Sequence, residues 1–358
     1  MNKPKIFVDL HVLQTVPPNC LNRDDMGSPK TAIYGGARRA RVSSQSWKRA
    51  MRLMFREIFD EGELGTRTLH LFDVIANEII KKSPETAREE AMEMAKKVLQ
   101  DAKAVKPSKK DEDKVEALFF ISAQQAKNLA TAALGEIEVK DILSLLKEGN
   151  SVDLALFGRM VASNAEINCD ASAQVAHAIS THAVENEYDF FTAVDDLSES
   201  MTDHAGAGMM GTVEYNSATL YRYATVAAHN LFEQLANNKE ALEKAIAGFT
   251  KAFICSMPTG KQNTFAAQTL PYAVLVTLRA DRPLNLAGAF ENPIKGQGLA
   301  ISSAKALEDY AKSSYDDFCA HPLKSYVVGQ YLGGLGDKMN LDNMLAKLSA
   351  DISEEVCR

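Results

Sequence analysis

The chain has 358 residues, a formal net charge of −7 and 46% hydrophobic residues, a composition that excludes a disordered protein and a collagen-like fibre. No apolar run approaches the roughly 20 residues of a membrane helix and no separate signal core is present, so we expect a cytoplasmic protein without a membrane partner. The five cysteines show no CxxC pair and no zinc-ligand spacing, which predicts free thiols and neither a metal nor another cofactor.

Strand patterns open the chain. Residues 5–16 (KIFVDLHVLQTV) alternate apolar and mixed side chains, which predicts a first strand. A loop rich in Asn, Asp, Gly and Pro follows at 21–30. Residues 31–42 (TAIYGGARRARV) then predict an extended segment with a Gly-Gly turn.

A basic amphipathic helix is predicted next, over residues 44–59, with Ser43 or Ser44 as its N-cap. Its apolar face holds Trp47, Met51, Met54, Phe55 and Ile58, and its other face holds Gln45, Lys48, Arg49, Arg52 and Arg56. A helix amino terminus flanked by cations can hold phosphate, so this segment is a candidate phosphate-binding surface. A solvated basic face is the alternative that the charge pattern leaves open.

Residues 60–170 carry mainly helical patterns. The stretches 86–102, 113–134 and 139–149 are helix-like, and a polar linker (VKPSKKDED) joins the first two. We therefore expect a helical insertion carried by another scaffold.

Residues 185–214 hold eight acids and no lysine or arginine, with glycines clustered at 206–211. The glycines predict that the second half of this segment is a mobile projecting loop. The loop could dock on a basic surface, including the 35–52 segment of another copy, and its Phe and Met side chains could insert between bases. A flexible acidic surface loop is the alternative.

The remainder predicts a strand over 212–226, a helix over 227–254, a strand near 273–280 and mixed carboxy-terminal helices. Strands at both ends with helical material between them predict one discontinuous α/β domain with two insertions.

Motifs of enzymes are few. Asp24 and Asp25 are adjacent, so their side chains point in different directions, as in a turn. The sequence has no HExxH, GxSxG, Walker loop or GxGxxG. His177 and His182 are five residues apart, a poor spacing for a helical metal site, and we expect buried or capping histidines.

Seven motifs together resemble one known family. They are LNRDD (21–25), GGARRARVSSQSWKRAMR (35–52), RTLHL (67–71), GRM (158–160), AHAISTHAV (176–184), FFTAVDDL (190–197) and YRYATV (221–226). Their order and spacing are similar to those of the CasC-type backbone subunit of Cascade, the type I-E CRISPR surveillance complex.

The resemblance implies a hand-shaped α/β fold whose palm is a modified, ferredoxin-like RNA-recognition motif (RRM). The palm would comprise residues 1–60, 170–184 and 214–358, the helical fingers 61–169 and the thumb loop 185–213. Copies would assemble head to tail along a CRISPR RNA beside other Cascade subunits, and each thumb would kink the RNA. The exposed bases would then pair with a target DNA strand.

Matched residue by residue, the family implies RNA contacts at Asn22, Arg23, Lys30, Ser43, Gln45, Lys48, Arg49, Arg52, Arg67, His70, Met160, Thr192, Lys261 and Lys295. Lys140 and Lys147 are weaker matches to lysines that contact duplex DNA. Ala37 stands where relatives can have a lysine, so that phosphate contact is either lost or supplied by Arg38.

Two other functions remain open at this point. Related backbone subunits of other CRISPR types cut target RNA with a metal and a palm aspartate, which Asp24 or Asp25 could resemble, although adjacent aspartates converge poorly on one ion. Alternatively, a scaffold made only of protein could use the basic helix to bind acidic partners. The favoured reading is a scaffold for CRISPR RNA that is not an enzyme.

Overall fold

A computed structural model of the chain describes residues 5–135, 142–193 and 209–357. The strands are β1 (Phe7–Asn19), β2 (Thr31–Tyr34), β3 (Ala37–Val42), β4 (Gly65–Thr68), β5 (Phe119–Ser122), β6 (Ala173–Val175), β7 (Ala178–Ser180), β8 (Glu187–Ala193), β9 (Met209–Ala227), β10 (Ala273–Arg279), β11 (Lys324–Gly329) and β12 (Asp337–Lys338). The helices are α1 (Ser44–Ile58), α2 (Leu71–Lys82), α3 (Arg88–Asp101), α4 (Ala123–Ala133), α5 (Ile142–Leu145), α6 (Val152–Phe157), α7 (Ala228–Gln234), α8 (Lys239–Cys255), α9 (Gln262–Phe265), α10 (Leu299–Asp317) and α11 (Leu341–Val356). None of the helices in these ranges has the length and apolar character needed to cross a bilayer.

One large sheet organises the fold, in the order β12-β11-β10-β1-β9-β7-β3-β2, and β6 and β8 also pair with β9. The central strand β1 is antiparallel to both β9 and β10, and the pair β11–β12 is parallel. The predicted α/β class is confirmed, as are the strands predicted near both ends of the chain.

Helix α1 packs on one face of this sheet through its predicted apolar side chains. Trp47, Met51 and Phe55 are fully buried in the main core, and each contributes roughly 1.5–3 kcal/mol by leaving water. The buried guanidinium of Arg222, on β9, lies 3.7 Å from the centre of the Trp47 ring. The helix therefore has a fixed orientation on the sheet.

Most of the residues between α1 and β6 form a second hydrophobic core, built mainly by α2, α3 and α4, whereas α6 packs in the main core. Helix α2 was not predicted, and residues 119–122, predicted as helix, form strand β5 against β4. The apolar run FFIS has no periodicity that separates strand from helix, and its strand pairing is with a segment more than 50 residues away. Ser122 then begins α4 with a capping box that includes Gln125.

The first half of the acidic segment contains a strand that was not predicted. Strand β8 pairs with the first residues of β9 from Glu187↔Tyr215 to Ala193↔Met209, so these residues form a two-stranded ribbon. The rest of the predicted thumb loop, residues 194–208, lies outside the described residues. The helix predicted over 227–254 is also divided, because Ala236 and Asn237 adopt left-handed backbone conformations between α7 and α8.

Candidate nucleic-acid interface

The amino end of α1 is closed by acceptors from the chain itself. Ser43 is the N-cap, and its Oγ accepts the N–H of Ser46 at 3.3 Å. The N–H of Ser43 donates to Asn22 Oδ1, and the N–H of Ser44 donates to His177 Nδ1, both at 2.9 Å. Two predicted contact residues, Asn22 and Ser43, are thus brought together, but both side chains stabilise the helix end. The groups around this end that are suited to a phosphate are the neighbouring cations.

Two of these cations, Arg23 and Arg49, line a cleft beside α1. Asn22, Arg23 and Arg49 border this cleft of about 220 Å³, together with the loop 258–260. Arg23 and Arg49 are both exposed. The predicted LNR loop and the basic helix therefore share one surface.

Lys261 lies in the same region because the neighbouring Gly260 packs closely on the backbone of Cys20 and Leu21. A Cβ at Gly260 would lie 2.3 Å from the carbonyl oxygen of Leu21, so only glycine allows this approach. Burial raises the pKa of the Cys20 thiol, and Arg23 and Lys261 partly oppose that rise, which places both cations near one sulfur.

Lys30 and Arg41 extend the basic surface along the hairpin of β2 and β3. The N–H of Lys30 donates to the carbonyl of Asn22 at 2.8 Å, and the N–H of Arg41 donates to the carbonyl of Lys30 at 2.9 Å. Burial lowers the pKa of His177, and Arg41 and Lys30 lower it further, so both cations lie close to that ring. Arg41 was not predicted as a contact. It is one of three arginines in the sequence ARRAR, and no local pattern distinguishes it from the other two.

Lys48 and Arg52 point from α1 toward the helical insertion. Lys48 is half-buried with its ammonium 5.7 Å from the centre of the Phe157 ring, and burial lowers its pKa. Arg52 forms an ion pair with buried Asp153 at 3.2 Å and lies over the Phe120 ring at 4.6 Å. Arg52 therefore joins α1 to α6 and β5, and its guanidinium already has an anionic partner.

Arg39 shows that the basic segment is not uniformly a surface. Its side chain is completely buried and donates to the carbonyls of Ser180, Phe290 and Glu291 at 3.0, 2.8 and 3.1 Å. Arg39 is therefore not available to bind RNA with the rest of the 35–52 segment, because buried backbone carbonyls already accept its N–H groups.

The GRM motif presents a methionine. Gly158 ends α6 with φ +75° and ψ 171°, a region that only glycine adopts readily. Arg159 is buried and donates to the carbonyls of Ile167 and Phe120 and to the amide oxygen of Gln125. Met160, the predicted contact, is 84% exposed.

Thr192 lies on an exposed face of the ribbon. Because side chains alternate along a strand, Tyr188, Phe190 and Thr192 share that face, and Met210 lies opposite Thr192 on β9. Phe190 and Met210 are 64% and 66% exposed. Phe191 faces the other way and packs on Gly211, so it is not among the side chains available for insertion.

The remaining predicted contacts are dispersed. Arg67 is exposed on β4, opposite Phe120 of β5. His70 is exposed, with Nδ1 3.2 Å from a carboxylate oxygen of Asp73. Lys147 lies in an exposed turn after α5, Lys295 is exposed in the connection between β10 and α10, and Lys140 lies outside the described residues.

The two aspartates of the nuclease alternative occupy a turn. Asp24 Oδ1 accepts the N–H groups of Met26 and Ser28, each at 3.0 Å, an Asx turn. Within the described ranges, no group of three His, Cys, Asp or Glu side chains is arranged to hold a metal.

Comparisons with known proteins agree on one family. The sequence profile of the CT1975-like protein family matches residues 8–350. A chain from a structure titled "CRISPR RNA-guided surveillance complex, pre-nicking" is 32% identical, with a TM-score of 0.83 over 95% of this chain and 99% of that one. A chain from a "CRISPR RNA-guided surveillance complex" is 27% identical, with a TM-score of 0.72 over the same shares. None of the curated proteins compared with the chain matches it.

Proposed function

This chain belongs to the CT1975-like protein family, which confirms the resemblance inferred from its motifs, and on that premise we propose that it is an RNA-binding subunit of a CRISPR surveillance complex. We propose further that the complex is a type I-E Cascade and that several copies assemble head to tail along the spacer of the CRISPR RNA. The other Cascade subunits are then its protein partners.

The cations around the amino end of α1 are the observation that carries the proposal. Arg23, Lys30, Arg41 and Arg49 lie around one helix end and Lys48 lies beside them on α1, and none of the five forms an ion pair with a carboxylate in the part of the chain that the structure describes. Five cations without acidic partners on an acidic protein favour an external polyanion. Contacts of this kind hold phosphates and read no base sequence, as a scaffold for any spacer requires.

The exposed Met160 and the ribbon support the kinking of the RNA. Met160, Phe190 and Met210 present flexible or aromatic side chains that can separate stacked bases. The ribbon also carries acidic residues, so it is repelled by phosphates and suited to a basic surface on the next copy. In this proposal the bases between kinks remain open to pair with a target DNA strand.

We also propose that the chain is not a nuclease. Asp24 accepts two backbone N–H groups, a role that an Asx turn requires and that needs no metal. Incubation of the assembled complex with target RNA and magnesium should leave the RNA intact. Cleavage that is lost in Asp24→Ala or Asp25→Ala would instead establish the nuclease alternative.

The direct test is to produce the chain with its genomic neighbours, purify the assembly and sequence the nucleic acid that accompanies it. We expect uniform RNAs of one repeat–spacer unit with several copies of this chain on each. Random fragments, or an assembly free of RNA and indifferent to nuclease, would refute the proposal and favour a scaffold made only of protein.

A further inference from the structure

His177 has a position in the fold that its sequence motif does not explain. It lies in the short break between β6 and β7, and the antiparallel pair Val42↔Ala178 brings it opposite the start of α1. Its Nδ1 accepts the N–H of Ser44 at 2.9 Å, and the residue is exposed. The ring is therefore held in place by the helix end while part of it faces solvent.

This hydrogen bond fixes the tautomer of the ring. A backbone N–H can only donate, so Nδ1 of His177 must carry a lone pair. In the neutral imidazole the proton is then on Nε2, on the other side of the ring from Ser44. No acceptor among residues 5–135, 142–193 and 209–357 is bonded to this Nε2–H. The structure thus presents one oriented donor at the surface.

The surroundings of this donor are positive. Val42 of β3 points into the main core, so Arg41, one residue earlier on the same strand, lies on the opposite face of the sheet, and the N–H of Ser44 holds the exposed His177 ring beside the end of that strand. Arg41 and Lys30 both lower the pKa of His177, as expected for cations close to the ring. An anionic oxygen held by these two cations would lie beside the imidazole.

We propose that His177 is a further RNA-contacting residue, whose Nε2–H donates to a backbone phosphate oxygen held between Lys30 and Arg41. This inference rests on the proposed function, and it adds a neutral, oriented donor to a surface of charges. Lys30 and Arg41 attract a phosphate from any direction, whereas the imidazole N–H donates a good hydrogen bond only to an oxygen that lies along the N–H direction. His177 would therefore set the register of the RNA backbone next to α1.

Two variants separate the donor from the helix cap. In His177→Asn the side-chain oxygen can replace Nδ1 and accept the N–H of Ser44, but the outward donor is lost. In His177→Gln the longer amide can place an N–H where Nε2–H was, but the acceptor for Ser44 is lost. Both are measured on the full chain by thermal unfolding and by titration of a labelled single-stranded RNA over a series of salt concentrations.

We expect His177→Asn to keep the thermal midpoint and to lose about tenfold in RNA affinity, the typical effect of one hydrogen bond to a charged group. The salt dependence should not change, because a neutral imidazole releases no counterion. Lys30→Gln should lower affinity and also reduce the slope of log K against log salt by about 0.7. His177→Gln should unfold at a lower temperature and retain more affinity than His177→Asn.

Three outcomes decide the matter. If His177→Asn binds RNA as the wild type does while Lys30→Gln binds less, the inference is overturned and the proposed function is retained. If His177→Asn loses affinity and His177→Gln loses as much or more, an outward amide N–H does not restore binding, and the inference is also overturned. A wild-type chain with no salt-dependent RNA affinity overturns the proposed function, and the inference with it.

Discussion

Arg49 offers the sharpest test of the basic surface, because the same helix contains a matched control. Arg49 lies one turn into α1 and borders the cleft with Asn22 and Arg23, whereas Arg56 is exposed in the last turn. The two residues are seven apart, so they lie on nearly the same helix face and about 10 Å apart along the axis. That separation is about a Debye length at 0.1 M salt, so Arg56 is largely screened from a phosphate at the amino end.

The magnitude follows from the number of cations at the helix end. The five cations Arg23, Lys30, Arg41, Lys48 and Arg49 predict a slope of about −3.5 for log K against log salt on single-stranded RNA, at about 0.7 per neutralised phosphate. Arg49→Gln should reduce the slope to about −2.8 and weaken binding at low salt, while Arg56→Gln should change the slope by less than about 0.2.

The assay is fluorescence anisotropy of a labelled single-stranded RNA with the full chain at about 50 to 200 mM salt. Thermal unfolding of both variants controls for stability, which surface substitutions should leave within about 0.5 kcal/mol. Equal changes of slope for the two variants would refute the assignment of the phosphates to the amino end of α1. No change for either would remove α1 from the interface.

Three further predictions concern stability. Gly158→Ala should lower the free energy of unfolding by about 2–3 kcal/mol, because the φ and ψ of this residue suit only glycine and a Cβ would lie 2.7 Å from the carbonyl oxygen of Cys169. The control is Gly36→Ala, with φ +71° and no atom within 4 Å of the added Cβ, which should cost only about 1 kcal/mol. Equal losses for the two variants in urea unfolding would contradict the clash at Gly158. Arg159→Met should cost about 3 kcal/mol or more, since it leaves several buried carbonyls without a donor, and a loss below about 1 kcal/mol would mean that water replaces the guanidinium. Burial, with a smaller contribution from Arg279, lowers the pKa of His11 from 6.5 to about 3, so only the unfolded chain takes up this proton as the pH falls below 6.5. The free energy of unfolding should therefore fall more steeply with decreasing pH in the wild type than in His11→Asn, by up to about 1.4 kcal/mol per pH unit. Parallel stability profiles of the two proteins in urea from pH 7 to 5 would contradict this.

The site could be predicted from the sequence only in part. Motifs identified the segments that form the interface, and periodicity placed Lys48 and Arg49 on the polar face of α1. Nothing local distinguished Arg39, which is buried, from Arg38, which is exposed, because adjacent residues of one strand face opposite sides of a sheet whose neighbours are distant in sequence. Arg52 was assigned to the exposed face of α1 because no local pattern indicates its ion pair with Asp153, which lies 101 residues away.

What the sequence determined by itself is the local structure whose signals are local: the strands β1 and β9, the hairpin around Gly35, and α1 with its Ser43 cap and apolar face. Alternation, turn residues and a capping hydroxyl act within a few residues, so they can be recognised without the fold. Only the tertiary structure decided which cations remain at the surface and which acceptors close α1. Asn22 reaches that helix end from only 21 residues away, whereas His177 reaches it because β3 pairs with β7 across more than 130 residues, and a hydrogen bond across such a separation depends on the packing of the whole sheet.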